Sequence, residues 1–139
     1  MEELTVKDNL KLWGVWQSEH RELLLASFEL EDLLKTEVRK LSGGMKRRLS
    51  IACALAQWPP ILLLDEPTTA LDLYYKNNIQ QWLMQYRKMN GIVLLTSHDE
   101  NEILSCDRCL IMKQGKLTEL TGEDFTIEEI RKEIIAPDK

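Results

Sequence analysis

Apolar residues recur at helical spacing along the first forty positions and then give way to short unbroken runs. Val6, Leu10 and Trp13 fall on one helical face, and Trp16 continues it. Thr5, three residues before Asp8, reads as a capping box that opens this helix. A second amphipathic stretch covers roughly 19–34, with Leu23, Leu24, Ser27, Phe28 and Leu30 expected mostly inward. Ser42-Gly43-Gly44 interrupts the pattern. A third helix is expected over 45–57, ended by Trp58-Pro59-Pro60.

Beyond the prolines the period changes. Ile61-Leu62-Leu63-Leu64 and Ile92-Val93-Leu94-Leu95 are continuous aliphatic runs, as expected of strands buried on both faces of a parallel sheet. Between them, Asp72 caps a helix carrying Ile79, Trp82, Leu83 and Tyr86, which stops at Asn90-Gly91. A short helix over 99–105 leads to a strand over 109–112. Gln114-Gly115-Lys116 turns into a strand over 117–120. Thr126 and Glu129 form a second capping box, ahead of an apolar stripe of Ile127, Ile130 and Ile134. The chain shows no internal repeat and no low-complexity segment. Strands alternating with helices behind a helical unit indicate an α/β architecture.

Composition narrows the classes. The 139 residues are 44% apolar and 29% charged, enough for a real core. A net charge of -5 gives no global attraction to nucleic acid, and the basic run Lys46-Arg47-Arg48 is too short to reverse that. No apolar run approaches the ~18 residues of a membrane span. Glu2, Glu3, Lys7 and Asp8 stand where a signal peptide would need apolar residues, so a cytosolic location is expected. Cys53, Cys106 and Cys109 make one C-x-x-C with no second ligand pair, and read as ordinary part-buried thiols rather than a zinc or redox site.

Three local patterns carry chemistry. In Leu41-Ser42-Gly43-Gly44-Met45-Lys46-Arg47-Arg48, Ser42 is a good N-cap, and two glycines let backbone amides approach an anion at a helix N-terminus. The bland reading is a glycine-broken junction with a solvated basic face. Cations in a first turn oppose the helix dipole unless a polyphosphate lies nearby. In Ile61-Leu62-Leu63-Leu64-Asp65-Glu66-Pro67, two carboxylates stand at the carboxyl end of a strand, where open α/β sheets bind ligands. Strand alternation would point them in different directions, so one can hold Mg²⁺ through its water shell while the other orients or deprotonates a water. In Leu94-Leu95-Thr96-Ser97-His98-Asp99 a second strand runs out into polar residues. Two parallel strands would bring His98 to the same sheet edge. His20, the other histidine, reads as structural.

In this order the patterns resemble the ABC ATPase family: Leu41 to Gly44 as signature, Ile61 to Pro67 as Walker B, Ala70-Leu71-Asp72 as D-loop and His98 as switch histidine. Leu4 to Leu10 resembles the segment that follows the family's Q-loop, so the likeness covers nearly the whole chain. It implies a partial P-loop NTPase (RecA-like) parallel-sheet core plus an ABC α-helical subdomain. The expected division is a helical subdomain at 1–57, a partial core at 58–122 and a helical tail at 123–139. It also implies roles: Asp65 supporting Mg²⁺, Glu66 polarising the hydrolytic water and His98 contacting the γ-phosphate of ATP. Ser42, Gly43 and Gly44 would clasp the nucleotide held by a second ATP-binding subunit in a head-to-tail dimer, with Asp72 at its seam. A membrane-spanning transporter subunit is the other implied partner, placing the chain at the cytoplasmic face. Met45, where many members have glutamine, points toward multidrug and other ABC-2-type exporters; Ala70 replaces a frequent glycine.

One departure weighs more. A P-loop needs Gly, four residues, then Gly-Lys-Ser/Thr, and the one Gly-Lys here, Gly115-Lys116, is followed by Leu117, with Leu110 in place of the first glycine. The Q-loop glutamine and the adenine-stacking aromatic would lie upstream of Met1. The 139 residues alone are therefore expected to be inactive, with weak or no ATP binding. Without the P-loop strand the 92–96 strand has an open edge suited to self-association. Two readings follow: an ATP-binding subunit of an exporter recorded without its P-loop part, or a non-catalytic remnant or interaction module that pairs with an intact ATPase subunit.

Overall fold

The structure is a computed structural model describing residues 2–69, 71–120 and 126–135. Ala70 of the expected D-loop, and much of the expected tail, lie outside the described residues. The chain forms two compact units, Met1–Thr96 and Ser97–Lys139. The boundary expected at 57/58 falls inside the first. No helix among the described residues is long and apolar enough to cross a membrane.

In the first unit, α1 (Val6–Leu12) is capped as its sequence indicates: the Thr5 hydroxyl accepts from the Asp8 amide at 3.2 Å and donates to the Asp8 carboxylate at 2.6 Å. Val6 and Leu10 are buried, but Trp13 is 52% exposed because it caps the end of α1. Trp16 is half-buried between Lys7 and Arg21, whose charges lie 4.9 and 5.2 Å from its ring.

The helix expected over 19–34 is broken. Helix α2 (Arg21–Ser27) ends at Phe28, and Glu29 takes the left-handed conformation (φ 49). The Leu30 amide then reaches back to the Leu25 carbonyl at 2.9 Å and the Glu29 amide to that of Ala26 at 3.2 Å. This is a Schellman ending with glutamate where glycine is usual. A 3-10 turn, Glu31–Leu33, follows. The break leaves Leu23 exposed and turns Leu24, Phe28 and Leu30 inward. Helix α3 (Gly43–Ala54) starts two residues earlier than expected, with the Ser42 hydroxyl accepting from the Met45 amide at 3.2 Å.

Strands β1 (Ile61–Asp65) and β2 (Ile92–Thr96) pair in parallel, from Ile61 opposite Ile92 to Asp65 opposite Thr96. Between them α4 (Leu73–Lys88) is capped by Asp72, whose carboxylate accepts from the Tyr75 amide at 3.1 Å. It ends in a second Schellman turn, with Asn90 at φ 63 and the Gly91 amide on the Tyr86 carbonyl at 3.1 Å. An aromatic cluster welds the helical half to α4: Phe28 lies 5.7 Å from Trp82, Trp58 meets Trp82 edge-on at 5.6 Å, and Trp82 stacks on Tyr86 at 5.5 Å.

The strands are not buried on both faces. Leu62 joins the core, with Leu64, Val93 and Leu95 packed beside it. Ile61, Leu63, Ile92 and Leu94 are 54%, 69%, 60% and 54% exposed. The core that they flank lies on one side of this two-stranded sheet, so the aliphatic runs place half their side chains in water.

In the second unit, α5 (Glu100–Leu104) precedes a hairpin of β3 (Leu110–Lys113) and β4 (Lys116–Glu119). Gln114 (φ 47) and Gly115 (φ 76) form its two-residue turn, so Gly115-Lys116 serves a hairpin rather than a phosphate loop. Helix α6 (Ile127–Ile135) carries the second capping box: the Thr126 amide donates to Glu129 at 2.8 Å and the Glu129 amide to the Thr126 hydroxyl at 3.3 Å. Ile130 is buried, while Ile134 stays exposed.

The Tyr86 hydroxyl is buried without a hydrogen-bond partner, and burial holds its phenol above the ordinary value. Tyr86→Phe is therefore expected to raise unfolding stability by about 1 kcal/mol in urea denaturation. Gly91→Ala is expected to lower it by roughly 1 to 3 kcal/mol, because the new Cβ would sit 2.3 Å from the Tyr86 ring.

Candidate functional site

The acidic pair is held at the last rung of the β1–β2 ladder. Thr96, opposite Asp65, donates its hydroxyl to the Asp65 carboxylate through a short hydrogen bond. The same hydroxyl accepts from the Glu66 amide at 3.1 Å, and the Thr96 carbonyl accepts from that amide at 3.1 Å as well. One threonine thus clasps both acidic residues. β1 ends at Asp65, and Glu66 takes φ 43, so the two carboxylates diverge through a left-handed residue rather than through strand alternation. Such a conformation is uncommon for a residue with a Cβ and often marks functional turns. The Glu66 carboxylate accepts from the Thr69 hydroxyl at 3.0 Å. Beneath this turn Pro67 and Thr68 are buried. Asp65 is exposed and Glu66 half-buried.

The Ser42–Gly44 segment has requirements of its own. Gly43 and Gly44 open α3, where amides at the first two positions have no intrahelical acceptor. Around Gly43 a Cβ would meet nothing within 4 Å, so a ligand has room to approach the backbone there. Gly44 is glycine for another reason: a Cβ would lie 2.9 Å from Leu71 Cδ2, in the segment leading to Asp72. The two adjacent glycines thus divide between approach from outside and packing within.

The three cations after them do not form a solvated face. Lys46 pairs with Glu2 at 2.6 Å, Arg47 donates to the Asp65 carbonyl at 3.2 Å, and Arg48 is buried against Glu29 at 3.0 Å and the Phe28 carbonyl at 3.1 Å. Acceptors within the chain offset the unfavourable dipole, with no polyphosphate required. Arg47 also ties α3 to the carboxyl end of β1, which sequence reasoning missed; it read the basic triplet as one unit. Thr96 reads in the sequence only as one of the polar residues into which the second strand runs out, although a hydroxyl at the end of a strand expected to pair with an acidic strand end was a usable signal.

Asp65, Glu66, Ser42, Gly43, Gly44 and Asp72 all stand in the first unit, with Asp72 exposed at the start of α4. His98 stands in the second, exposed at the entry to α5. Its neighbours are ordered by a compact turn: the Ser97 hydroxyl donates to the buried Glu102 carboxylate through a short bond and accepts from the Asp99 amide at 3.0 Å. Asp99 in turn caps α5, accepting from the amides of Asn101 and Glu102 at 3.0 and 3.2 Å. The three cysteines are free; burial pushes the Cys53 thiol up to about 12 and raises that of Cys109. Thiols held above their ordinary range are poor nucleophiles.

A family model described as ABC transporter matches residues 1–69. The Nod factor export ATP-binding protein I of Sinorhizobium fredii is 39% identical over 123 residues, covering 82% of this chain and 36% of its own. The energy-coupling factor transporter ATP-binding protein EcfA1 of Mycoplasmoides gallisepticum is 43% identical over 88 residues, covering 63% of this chain and 32% of its own. The linearmycin resistance ATP-binding protein LnrL of Bacillus subtilis is 34% identical over 122 residues, covering 82% and 39%. The chain thus spans between 32% and 39% of the length of these curated relatives. Among solved structures, the dimeric ATP-binding cassette MJ0796 in a post-hydrolysis state bound to ADP and Pi superposes with TM-score 0.76 at 29% identity, covering 88% of this chain and 59% of that one.

The division of labour between the glycines is testable by urea denaturation. Gly44→Ala is expected to lower stability by roughly 1 to 3 kcal/mol as Leu71 is displaced. Gly43→Ala, with open space around the new methyl, is expected to leave it unchanged within about 0.5 kcal/mol or raise it slightly.

Proposed function

The chain belongs to the ABC transporter ATP-binding family, and on that premise we propose that it supplies the signature, Walker B and switch-histidine elements of a transporter's ATP-binding subunit, of exporter type. The observation that carries this reading is the joining, within one unit, of a Ser42-capped helix open at Gly43 to a strand end bearing Asp65 and Glu66, through Arg47. The functional division into 1–57, 58–122 and 123–139 belongs to the same proposal.

In this reading Ser42, Gly43 and Gly44 clasp the phosphates of ATP held by a second ATP-binding subunit, using backbone amides and the positive end of α3. Asp72 stands at the seam of that head-to-tail pair. Asp65 is an exposed carboxylate at a strand end, a donor that suits a hard cation such as Mg²⁺; it would help to hold such an ion, which when bound would neutralise charge on the transferring phosphoryl group. Thr96 restrains the Asp65 carboxylate for this task, and Thr69 restrains that of Glu66. Glu66 polarises the attacking water and His98 contacts the γ-phosphate. A membrane-spanning subunit would bring the assembly to the cytoplasmic face. Among the described residues β2 pairs only with β1, and its other edge, flanked by exposed Ile92 and Leu94, favours association with another strand, including that of a second copy.

Calorimetric titration of Mg-ATP into the 139-residue chain is expected to show weak or no binding and no turnover; tight binding or turnover overturns the claim of inactivity in isolation. Mixed with an intact ATP-binding subunit of its transporter, the chain is expected to associate in an ATP-dependent manner that Gly43→Asp abolishes. In an assembly that turns over, Glu66→Gln should lower the rate about a hundredfold or more while leaving nucleotide binding intact. Sedimentation velocity is expected to show concentration-dependent self-association of the isolated chain, and a lone monomer with a sharp cooperative melt would contradict it.

A further inference from the structure

We propose that Glu29 is a positioning residue that locks the first turn of α4 to the second turn of α3, so that the Gly43 face and the Asp72 carboxylate move as one body. Glu29 lies far from both in sequence and adopts a left-handed backbone at the end of α2, where glycine would be the unstrained choice. Its side chain explains why glycine is not there. The carboxylate accepts from Tyr74 Oη at 2.9 Å on one oxygen, and from Tyr75 Oη at 3.1 Å and Arg48 Nη1 at 3.0 Å on the other.

Tyr74 and Tyr75 are the second and third residues of α4, so their side chains diverge by about 100° around the helix. A carboxylate with two acceptor oxygens can receive both phenols at once; a single hydroxyl or amide oxygen could not also hold a guanidinium. Arg48 closes the link to α3. Its side chain is 5% exposed, it also bonds the Phe28 carbonyl at 3.1 Å, and its guanidinium lies 4.0 Å from the centre of the Tyr75 ring. Tyr75 therefore meets Glu29 through its phenol and Asp72 through its amide. The tight approach of Leu71 to Gly44 brings the same two helix starts together from the other side. The Tyr74 hydrogen bond, with those from Tyr75 and Arg48, holds the Glu29 carboxyl below its usual range, so the clamp stays charged.

The importance of the clamp for catalysis rests on the reading above, in which Ser42–Gly44 and Asp72 face the same partner subunit. The clamp itself does not. Amide hydrogen exchange on the full chain tests it in wild type, Glu29→Gln, Glu29→Gly and the double variant Tyr74→Phe/Tyr75→Phe. The expected signature of the tyrosine variant is exchange about tenfold faster at Tyr75 and Lys76 in α4, and a similar acceleration at Met45 and Lys46 in α3, whose capping and helix bonds involve neither tyrosine. Glu29→Gly, which relieves the left-handed strain while deleting the carboxylate, should do the same. Glu29→Gln, which keeps one acceptor oxygen, should restore part of the protection. Acceleration confined to α4 would overturn the coupling, as would uniform acceleration that extends to Leu55 and Tyr86, the mark of general destabilisation. Because no nucleotide or partner is involved, failure here condemns the clamp alone, whereas absent ATP-dependent association condemns the functional reading and leaves the clamp standing.

Discussion

The parallel ladder between β1 and β2 keeps its register to the final pair, Asp65 opposite Thr96, and the acidic end of the molecule hangs from that rung. A slip of one residue would send Thr96 to the other face and leave the Asp65 carboxylate and the Glu66 amide without the hydroxyl they share. The register is in turn set by burial. Leu62, with Leu64, Val93 and Leu95, faces the aromatic and aliphatic core, and the alternate positions cannot replace them without losing that packing. The geometry of two carboxylates is thus a consequence of which leucines are inside.

A second constraint runs through α3. Its three consecutive cations each find a different acceptor inside the first unit, and two of these acceptors, Asp65 and Glu29, lie on segments that bear on the site. Arg47 reaches a carbonyl at the strand end, while Arg48 is buried and needs a carboxylate beside it, because an unpaired guanidinium in that position would be strongly destabilising. The helix that begins with Gly43 and Gly44 is therefore cross-linked to the carboxyl end of the strand that leads into Glu66 and, through Glu29, to the helix that Asp72 caps. The exposed face of the two-stranded sheet is the counterpart of this economy, since the packing that organises the site lies on the other side.

Much of this was legible from local sequence. The capping roles of Thr5, Ser42, Asp72 and Thr126, the aliphatic runs as strands and the parallel pairing emerge as read, because short-range hydrogen bonds and side-chain periodicity decide them. The failures have a common cause. Nothing near Glu29 announces a helix end: there is no glycine or proline, and the left-handed backbone persists because Arg48, Tyr74 and Tyr75 hold its side chain. Trp13 falls on the apolar face of α1, yet it is exposed because it lies at the helix end, where that face has run out. Lys46, Arg47 and Arg48 read as a patch, but consecutive positions on a helix point about 100° apart and meet different surroundings.

By itself the sequence determined the family, the kinds of element and the residue types at the site, since these depend on motifs of a few adjacent positions and on the periodicity of side chains. The tertiary structure alone decided which acceptor each cation meets, how Asp65 and Glu66 diverge, why Gly44 must lack a side chain, and which face of the sheet is bare. Those are properties of contacts between segments 18 to 46 residues apart, and a contact of that kind is written in no single stretch of the chain.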